Sequence, residues 1–541
     1  MTSPDLSPEQ RRQLASLLVV RGSGHGRDGQ RRYPRWELNN GELKRLLEAG
    51  VGGVILLGGS AEELRLRCAQ LQAWAEQPLL LCADVEEGVG QRFEGASWLV
   101  PPLALGRLHG RDPERALTLA ERYGRCCGRQ ARRLGLNWVL GPVCDVNNNP
   151  DNPVINVRAW AETPASAGAL AAAFVRGCQG EGVLACAKHF PGHGDTSSDS
   201  HLELPLIPHS RERLAAVELP PFRAAIAADV ASVMTAHLQL PALDTEHPAT
   251  LSPAVLTDLL RGELGFGGLV VTDALVMDAI TSRYGAAEAA VLAFEAGADL
   301  ILMPADAEAA LEGLATALAS GRISSQRLEA SLERRRLALE RCQPLKEAGS
   351  RELLDQLADL VSPEEQQLTA DLLELSLECQ GSAPLPAGPG VNLIRLDNQL
   401  AAPQLPAMAP ALLRPAAEHY EALVFDGRSP SPWSGDPDAP LALERLGAGP
   451  VLLQLFVRGN PFRGSAGGDE PWPQVVEQLL RAGRLAGLAV YGSPYLWEQL
   501  RPLLPPELPA AYSPGQMPQA QAVVLEALGL TAAALEGGFT D

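Results

Sequence analysis

The run KHFPGHGDTSSDSH, Lys188 to His201, sets a lysine, three histidines and two aspartates on a segment broken by a proline and two glycines. A regular helix does not tolerate that punctuation, so a loop must position these groups. Three chemistries are open to it. His189, His193 and His201, with Asp195 or Asp199, are zinc-ligand types, yet no pair has the spacing of a helical HExxH site, and no metal is expected. A phosphate cradle needs a glycine-rich turn into a helix, and no GxxxxGK[ST] occurs here. GSGHGRDG (22–29) has the spacing of a dinucleotide fingerprint, but no helical apolar period follows it, so it reads as a surface loop. An acid/base loop has more support. Asp199 lies two residues from His201, close enough to orient the imidazole and raise its proton affinity.

Other ionisable groups sit at the ends of apolar runs. Asp273 closes GLVVT and precedes ALVM, which gives a carboxylate an apolar floor and an open mouth. Such a group can attack an anomeric carbon while a second group protonates the leaving oxygen. Asp84 ends LLLCA, with Arg92 eight residues on, and Arg158 in INVRAW adds a fixed fork of donors. Carboxylates, a lysine, a histidine and arginines around one mouth suit a ligand rich in hydroxyls.

Eight apolar runs must hold these groups: SLLVV (16–20), GVILL (53–57), LLLCAD (79–84), NWVLGPV (137–143), VLACAKH (183–189), ASVMTAH (231–237), GLVVTD (268–273) and DLILMP (299–304). Helical stretches such as 114–135 and 286–297 lie between them, a repeated βα pattern. The expected fold is α/β: a (β/α)8 TIM-type barrel over 1–345, with a doubly wound sheet as the alternative. Asp84, Lys188, His189, His237 and Asp273 all fall at strand ends, where a barrel builds its site. Residues 346–384 read as a helical connector. Further runs at 391–396, 422–427, 451–457 and 485–492 then predict a smaller, sandwich-like α/β domain over 385–541.

The chain has 541 residues, 46% hydrophobic and 20% charged, with a net charge of −20. That balance excludes a nucleic-acid groove, which needs a basic face. No run of 18 apolar residues predicts a membrane span. The polar N-terminus lacks a secretory h-region, and nine scattered cysteines without a CxxC pair argue against a disulfide framework. A cytoplasmic location is expected, and nothing in the sequence speaks to oligomeric state.

KHFPGHGDTSSDSH resembles the signature loop of glycoside hydrolase family 3, in its bacterial β-N-acetylglucosaminidase branch. ADVEEGVGQRF, GPVCDVNNNPDNPVINVRAW, VMTAHLQLPALDTEHPATLS, GLVVTDALVM and EAGADLILMP resemble the family's other segments in order and spacing, across residues 50 to 305. AVYGSPYLWEQL and AAYSPGQMPQAQAVVLEAL resemble, more weakly, its second domain. The resemblance implies retaining hydrolysis of terminal β-linked N-acetylglucosamine, with peptidoglycan fragments as the expected source, without a cofactor. It implies Asp273 as nucleophile, His201 as acid/base held by Asp199, and Asp84, Arg92, Arg158, Lys188 and His189 as groups holding the sugar. His193 reads as loop structure, and His237 as a supporting residue. Two departures bear on substrate fit: Glu87 replaces the first of the family's paired glycines, and Ala274 follows Asp273 where the branch often has a second acid. Within the family, a phosphorylase acting on the same glycosides or a β-glucosidase is the alternative. Outside catalysis, the alternative is a silent sugar-binding protein.

Overall fold

The computed structural model describes residues 6–196, 204–343, 351, 357–396, 402–426, 429, 441–459 and 470–531. Asp199 and His201 lie outside the described residues. The chain divides into two compact units, Met1–Leu368 and Thr369–Asp541.

The first unit is built on eight strands: β1 (Leu18–Ser23), β2 (Gly53–Leu57), β3 (Leu80–Ala83), β4 (Trp138–Val139), β5 (Leu184–Phe190), β6 (Ser232–Thr235), β7 (Leu269–Val271) and β8 (Ile301–Leu302). They pair in parallel in the order β7-β6-β5-β4-β3-β2-β1-β8. Val271 then bridges Leu300, and Thr272 N–H donates to Leu300 O at 3.1 Å, which joins the two outer strands into a barrel. Each strand overlaps one of the eight apolar runs. β4 is the shortest of the middle strands, since Gly141-Pro142 follows it and proline offers no amide to the ladder. Gly22 and Ser23, expected to open a surface loop, instead complete β1.

All seven residues of β5 are buried, Lys188 and His189 included. A parallel sheet covered by helices has no wet face, so a charged residue on such a strand must find its partners inside the barrel. The helix Pro113–Leu134 shows how the cover forms. Asp112 caps it by accepting from Arg115 N–H, Pro113 starts it, and Leu119, Tyr123, Cys127 and Leu134 recur along its buried face. At the strands' N-terminal ends, the foot of the barrel, the helix Ser325–Arg341 packs with Arg327, Arg334 and Arg335 turned inward. Arg335 donates to Gly52 O and Pro78 O at 3.1 and 2.7 Å.

The stretch expected as a connector holds the helix Pro363–Ser376, which crosses the division between the units, and then β9 (Glu378–Gln380). The second unit adds β10 (Gly390–Leu396), β11 (Tyr420–Phe425), β12 (Val451–Val457), β13 (Leu485–Gly492) and β14 (Ala510–Ser513). Their order is β11-β10-β12-β13-β14-β9, parallel except for β9 against β14. Leu453, Leu455, Val475, Leu488 and Trp497 fill one side of this sheet, and Phe456, Tyr491, Val524 and Leu525 the other.

Candidate active site

Four of the charged groups singled out in the sequence, Asp84, Arg92, Arg158 and Lys188, converge at the barrel's mouth, the C-terminal ends of the strands. Lys188, 1% exposed, reaches from β5 to Asp84 Oδ1 at 2.8 Å and to Glu86 Oε1 at 2.7 Å. Arg158 follows β4 on a short 3-10 turn, Asn156–Arg158, and grips the same Glu86 with two parallel bonds, Nε to Oε2 at 2.8 Å and Nη2 to Oε1 at 2.9 Å. Arg158 Nη1 also donates to Val154 O at 3.0 Å. Arg92 Nε donates to Asp84 O at 3.0 Å. Glu86 therefore ties Lys188 to Arg158, and Asp84 ties Lys188 to the loop that carries Arg92.

The electrostatics follow from burial set against opposite charge. Burial alone would raise the carboxyls, but Lys188 and Arg92 hold Asp84 below its ordinary value, and Arg158 and Lys188 hold Glu86 far below. Burial would lower Lys188, but Asp84 and Glu86 outweigh it and raise its pKa. All three are charged at neutral pH. Unlike its partners, Asp84 has a side chain 40% exposed. Donor capacity is also left over: Lys188 spends two of three N–H groups and Arg158 three of five.

His189 points elsewhere. Its Nδ1 lies 2.8 Å from Asp145 Oδ2, and Asp145 Oδ1 accepts the amides of His189 and His193 at 3.2 and 2.7 Å. His193 is buried, and its Nδ1 meets Thr196 Oγ1 at 2.9 Å. Burial pulls its pKa down to about 4, against the pull of Asp145, so the ring is neutral at neutral pH. The glycines of the loop have steric reasons. A Cβ on Gly194 would fall 1.8 Å from Val146 O, and one on Gly192, at φ +131°, would fall 2.7 Å from Glu218 Cβ. Asn152 Nδ2 completes the seating by donating to His193 O and Gly194 O, both at 2.9 Å.

Asp273, half-buried, stands two residues beyond β7. Its amide donates to Thr235 Oγ1 at 3.3 Å, and Ala274 N–H donates to its Oδ1 at 2.7 Å. Its charge bears on both His193 and Cys186. Beneath it, Thr235 Oγ1 meets Thr250 Oγ1 and His237 Nδ1 meets the same hydroxyl, each at 2.8 Å. His237 Nε2 faces Ala274 O at 3.1 Å, and since a carbonyl can only accept, that nitrogen carries the proton. His237 thus holds the backbone next to Asp273.

Glu86 and Asp145 were not singled out from the sequence. Glu86 follows Asp84 by two residues and Asp145 stands inside GPVCDVNNNP, both within quoted segments. A lone carboxylate carries no sign that a buried cation or amide will claim it. Glu87, expected to alter the site, is buried and accepts from Trp98 Nε1 at 3.3 Å. Among the described residues, Asp195, His209 and Glu218 are metal-ligand types whose ligand atoms lie within 4.8 Å of one another. Arg213 contacts both carboxylates, so the cluster is already satisfied as an ion-pair network.

A parallel barrel with a charged mouth, one exposed carboxylate and a second carboxylate on the same rim is the layout of a barrel enzyme acting on a polar ligand. The glycosyl hydrolase family 3 N-terminal domain matches residues 11–336, and the bacterial glycosyl hydrolase family 3 C-terminal domain matches 386–529. The chain belongs to glycoside hydrolase family 3. A β-hexosaminidase of Stenotrophomonas maltophilia (strain K279a) is 38% identical over 271 residues, 49% of this chain and 80% of that protein. Beta-hexosaminidase A of Pseudoalteromonas piscicida is 35% identical over 325 residues, 54% of each, so the match spans about half of that relative's length. The solved family 3 β-N-acetylglucosaminidase of Paenibacillus sp. str. FPU-7 superposes with a TM-score of 0.76 at 30% identity, covering 97% of both chains.

Proposed function

We propose that this chain is a retaining glycosidase that removes terminal β-linked N-acetylglucosamine, the activity for which its relatives are named. The observation that carries the reading is the mouth: Asp273 braced at a strand end, on the same rim as a charged wall whose Asp84 remains open. In this mechanism Asp273 attacks the anomeric carbon, and His201, oriented by Asp199, gives its proton to the departing oxygen. The glycosyl-enzyme ester is then cleaved by water, whose proton returns to His201 while Asp273 leaves as carboxylate. Asp84 and the spare donors of Lys188, Arg92 and Arg158 hold the sugar's hydroxyls and N-acetyl group. His189, fixed by Asp145 near the end of β5, completes the proposed sugar-holding set.

Peptidoglycan fragments are the proposed source of the sugar, and the cytoplasm the proposed compartment. All nine cysteines are free thiols and seven are buried, which suits a reducing environment. No helix among the described residues is long and apolar enough to cross a membrane. The test is turnover of 4-nitrophenyl N-acetyl-β-D-glucosaminide beside the plain β-D-glucoside, with Asp273→Asn as control. Preference for the N-acetyl substrate, lost in the variant and unaffected by added phosphate, is the expected result. Preference for the glucoside would overturn the substrate, and a phosphate-dependent rate would replace hydrolysis by phosphorolysis.

A further inference from the structure

The proposed acid/base falls in sequence between Thr196 and Leu204, the described residues that flank it. The limbs on either side are held mostly through backbone groups. On the outgoing limb, Asp145 and Asn152 grip the peptide groups of 193 and 194. On the returning limb, Ile207 N–H donates to Gln239 O and Gln239 N–H to Pro205 O, both at 2.9 Å. A side-chain contact joins limb to limb directly. His209 Nε2 lies 2.7 Å from Asp195 Oδ2, across a sequence separation of 14.

That contact is braced from behind. Arg213 reaches Asp195 Oδ2 at 3.3 Å through Nη2 and Glu218 Oε1 at 2.9 Å through Nη1. Glu218, 3% exposed at its side chain, is the residue against which Gly192 packs. Burial raises the Glu218 carboxyl and Arg213 opposes that rise. The chain His209–Asp195–Arg213–Glu218 therefore ties the returning limb to the outgoing one and runs back to Gly192. Asp195 stands four residues before Asp199, and His209 eight residues after His201.

We propose that Asp195 and His209 form a clasp that positions the Asp199–His201 acid/base. Asp195 and His209 are positioning residues, and the inference rests on the mechanism above. A general acid must come within about 2.6–3.2 Å of the oxygen it protonates. The contact fixes the separation of the two limbs that flank Asp199 and His201 in sequence. With the pin removed, Asp273 and the charged wall are unaffected, but the proton is delivered from a wider spread of positions. The loss must therefore grow with the leaving group's need for a proton.

The test compares two N-acetyl-β-D-glucosaminides, of 2,4-dinitrophenol, which departs without a proton, and of 4-methoxyphenol, which does not. For His209→Ala, kcat for glycosyl-enzyme formation should fall about 100-fold on the methoxyphenyl substrate, the lower end of what acid catalysis supplies, and by less than about threefold on the dinitrophenyl one. His209→Gln, which keeps a donor, should recover most of the loss. Asp195→Ala should match His209→Ala, with no further loss in the double variant, as coupled partners require. If His209→Ala does not fold, Asp195→Asn carries the same comparison. Equal losses on both substrates would reduce the clasp to a structural brace and overturn the proposal. His201→Ala is run in parallel. If it shows the leaving-group dependence and His209→Ala does not, the clasp fails and the mechanism stands. If His201→Ala shows none, the mechanism itself fails.

Discussion

At the foot of the barrel, Asp299 accepts from Arg261 at 2.6 Å, Arg334 at 3.0 Å, Arg327 at 3.3 Å, Ser331 at 2.7 Å and the Val270 amide at 3.0 Å. At the mouth, Glu86 accepts from Arg158 and Lys188 at comparable distances. Both are buried carboxylates in nests of cations, and buried carboxylates of this kind are costly to strand by removing a partner. The difference lies in what surrounds each nest. Asp299 is 0% exposed and its partners come from the helix Ser325–Arg341, from Arg261 and from the adjoining strand, so its hydrogen-bonding capacity is spent on closing the barrel. Glu86 is equally hidden, but its partner Lys188 passes the charge on to Asp84, which opens to solvent. The foot uses ionic chemistry to hold a helix, and the mouth uses it to hold a charged edge that opens to solvent.

The sharpest break of this comparison is Asp84→Asn against Asp299→Asn. Two charge-assisted hydrogen bonds to sugar hydroxyls, at about 1.5–3 kcal/mol each, correspond to roughly 10²–10⁴ in kcat/KM. Asp84→Asn should lose that much activity while its loss of stability stays well below that of Asp299→Asn, because Lys188 keeps Glu86 as a partner. Asp299→Asn should do the reverse, losing about 3–5 kcal/mol in denaturant unfolding with kcat/KM per folded molecule within about twofold. If Asp84→Asn unfolds the protein, or Asp299→Asn silences the folded enzyme, the division of labour is wrong.

A second prediction concerns His193, the buried neutral ring of the mouth. Its pKa is lowered from 6.5 to about 4, so between those values the unfolded chain binds the proton that the native chain refuses. Stability should therefore fall as pH drops from 6.5 to 4, by about 3 kcal/mol for this group alone. Urea unfolding at pH 7 and pH 4.5 should show that fall in the parent and a shallower one in His193→Gln. Asp84 and Glu86 contribute in the same direction only at lower pH, since their pKa values are depressed. Lys188, with its pKa raised, contributes stability that is lost only as pH climbs through that raised value. The smallest effect belongs to Trp98→Phe, which removes one donor from Glu87 and should cost about 1 kcal/mol in unfolding with activity unchanged.

Much of this layout was legible beforehand because a barrel writes its strands as apolar runs and its site as the polar residue that ends each run. Asp84, Lys188 and Asp273 could be placed on one rim from that pattern. Glu86 and Asp145 could not, because nothing local distinguishes a carboxylate that will be buried against Arg158 or two histidine amides from one that faces water. The foot was equally hidden: Arg327, Arg334 and Arg335 look like a solvated helix until Asp299 and the strand carbonyls are brought to them. In the second unit β9 and β14 escaped notice. ECQ is short, and AAYS is mostly small residues without the β-branched signal that marked β12 and β13.

The central claim is that the charged wall serves a nucleophile at Asp273. Incubation with an N-acetylated 5-fluoro glycosyl fluoride, which forms the covalent intermediate faster than water can release it, followed by peptide mass mapping, tests this directly. The account predicts one added sugar per chain, esterified to Asp273, and no label in Asp273→Asn. A label on any other carboxylate, or undiminished labelling of the variant, would contradict it.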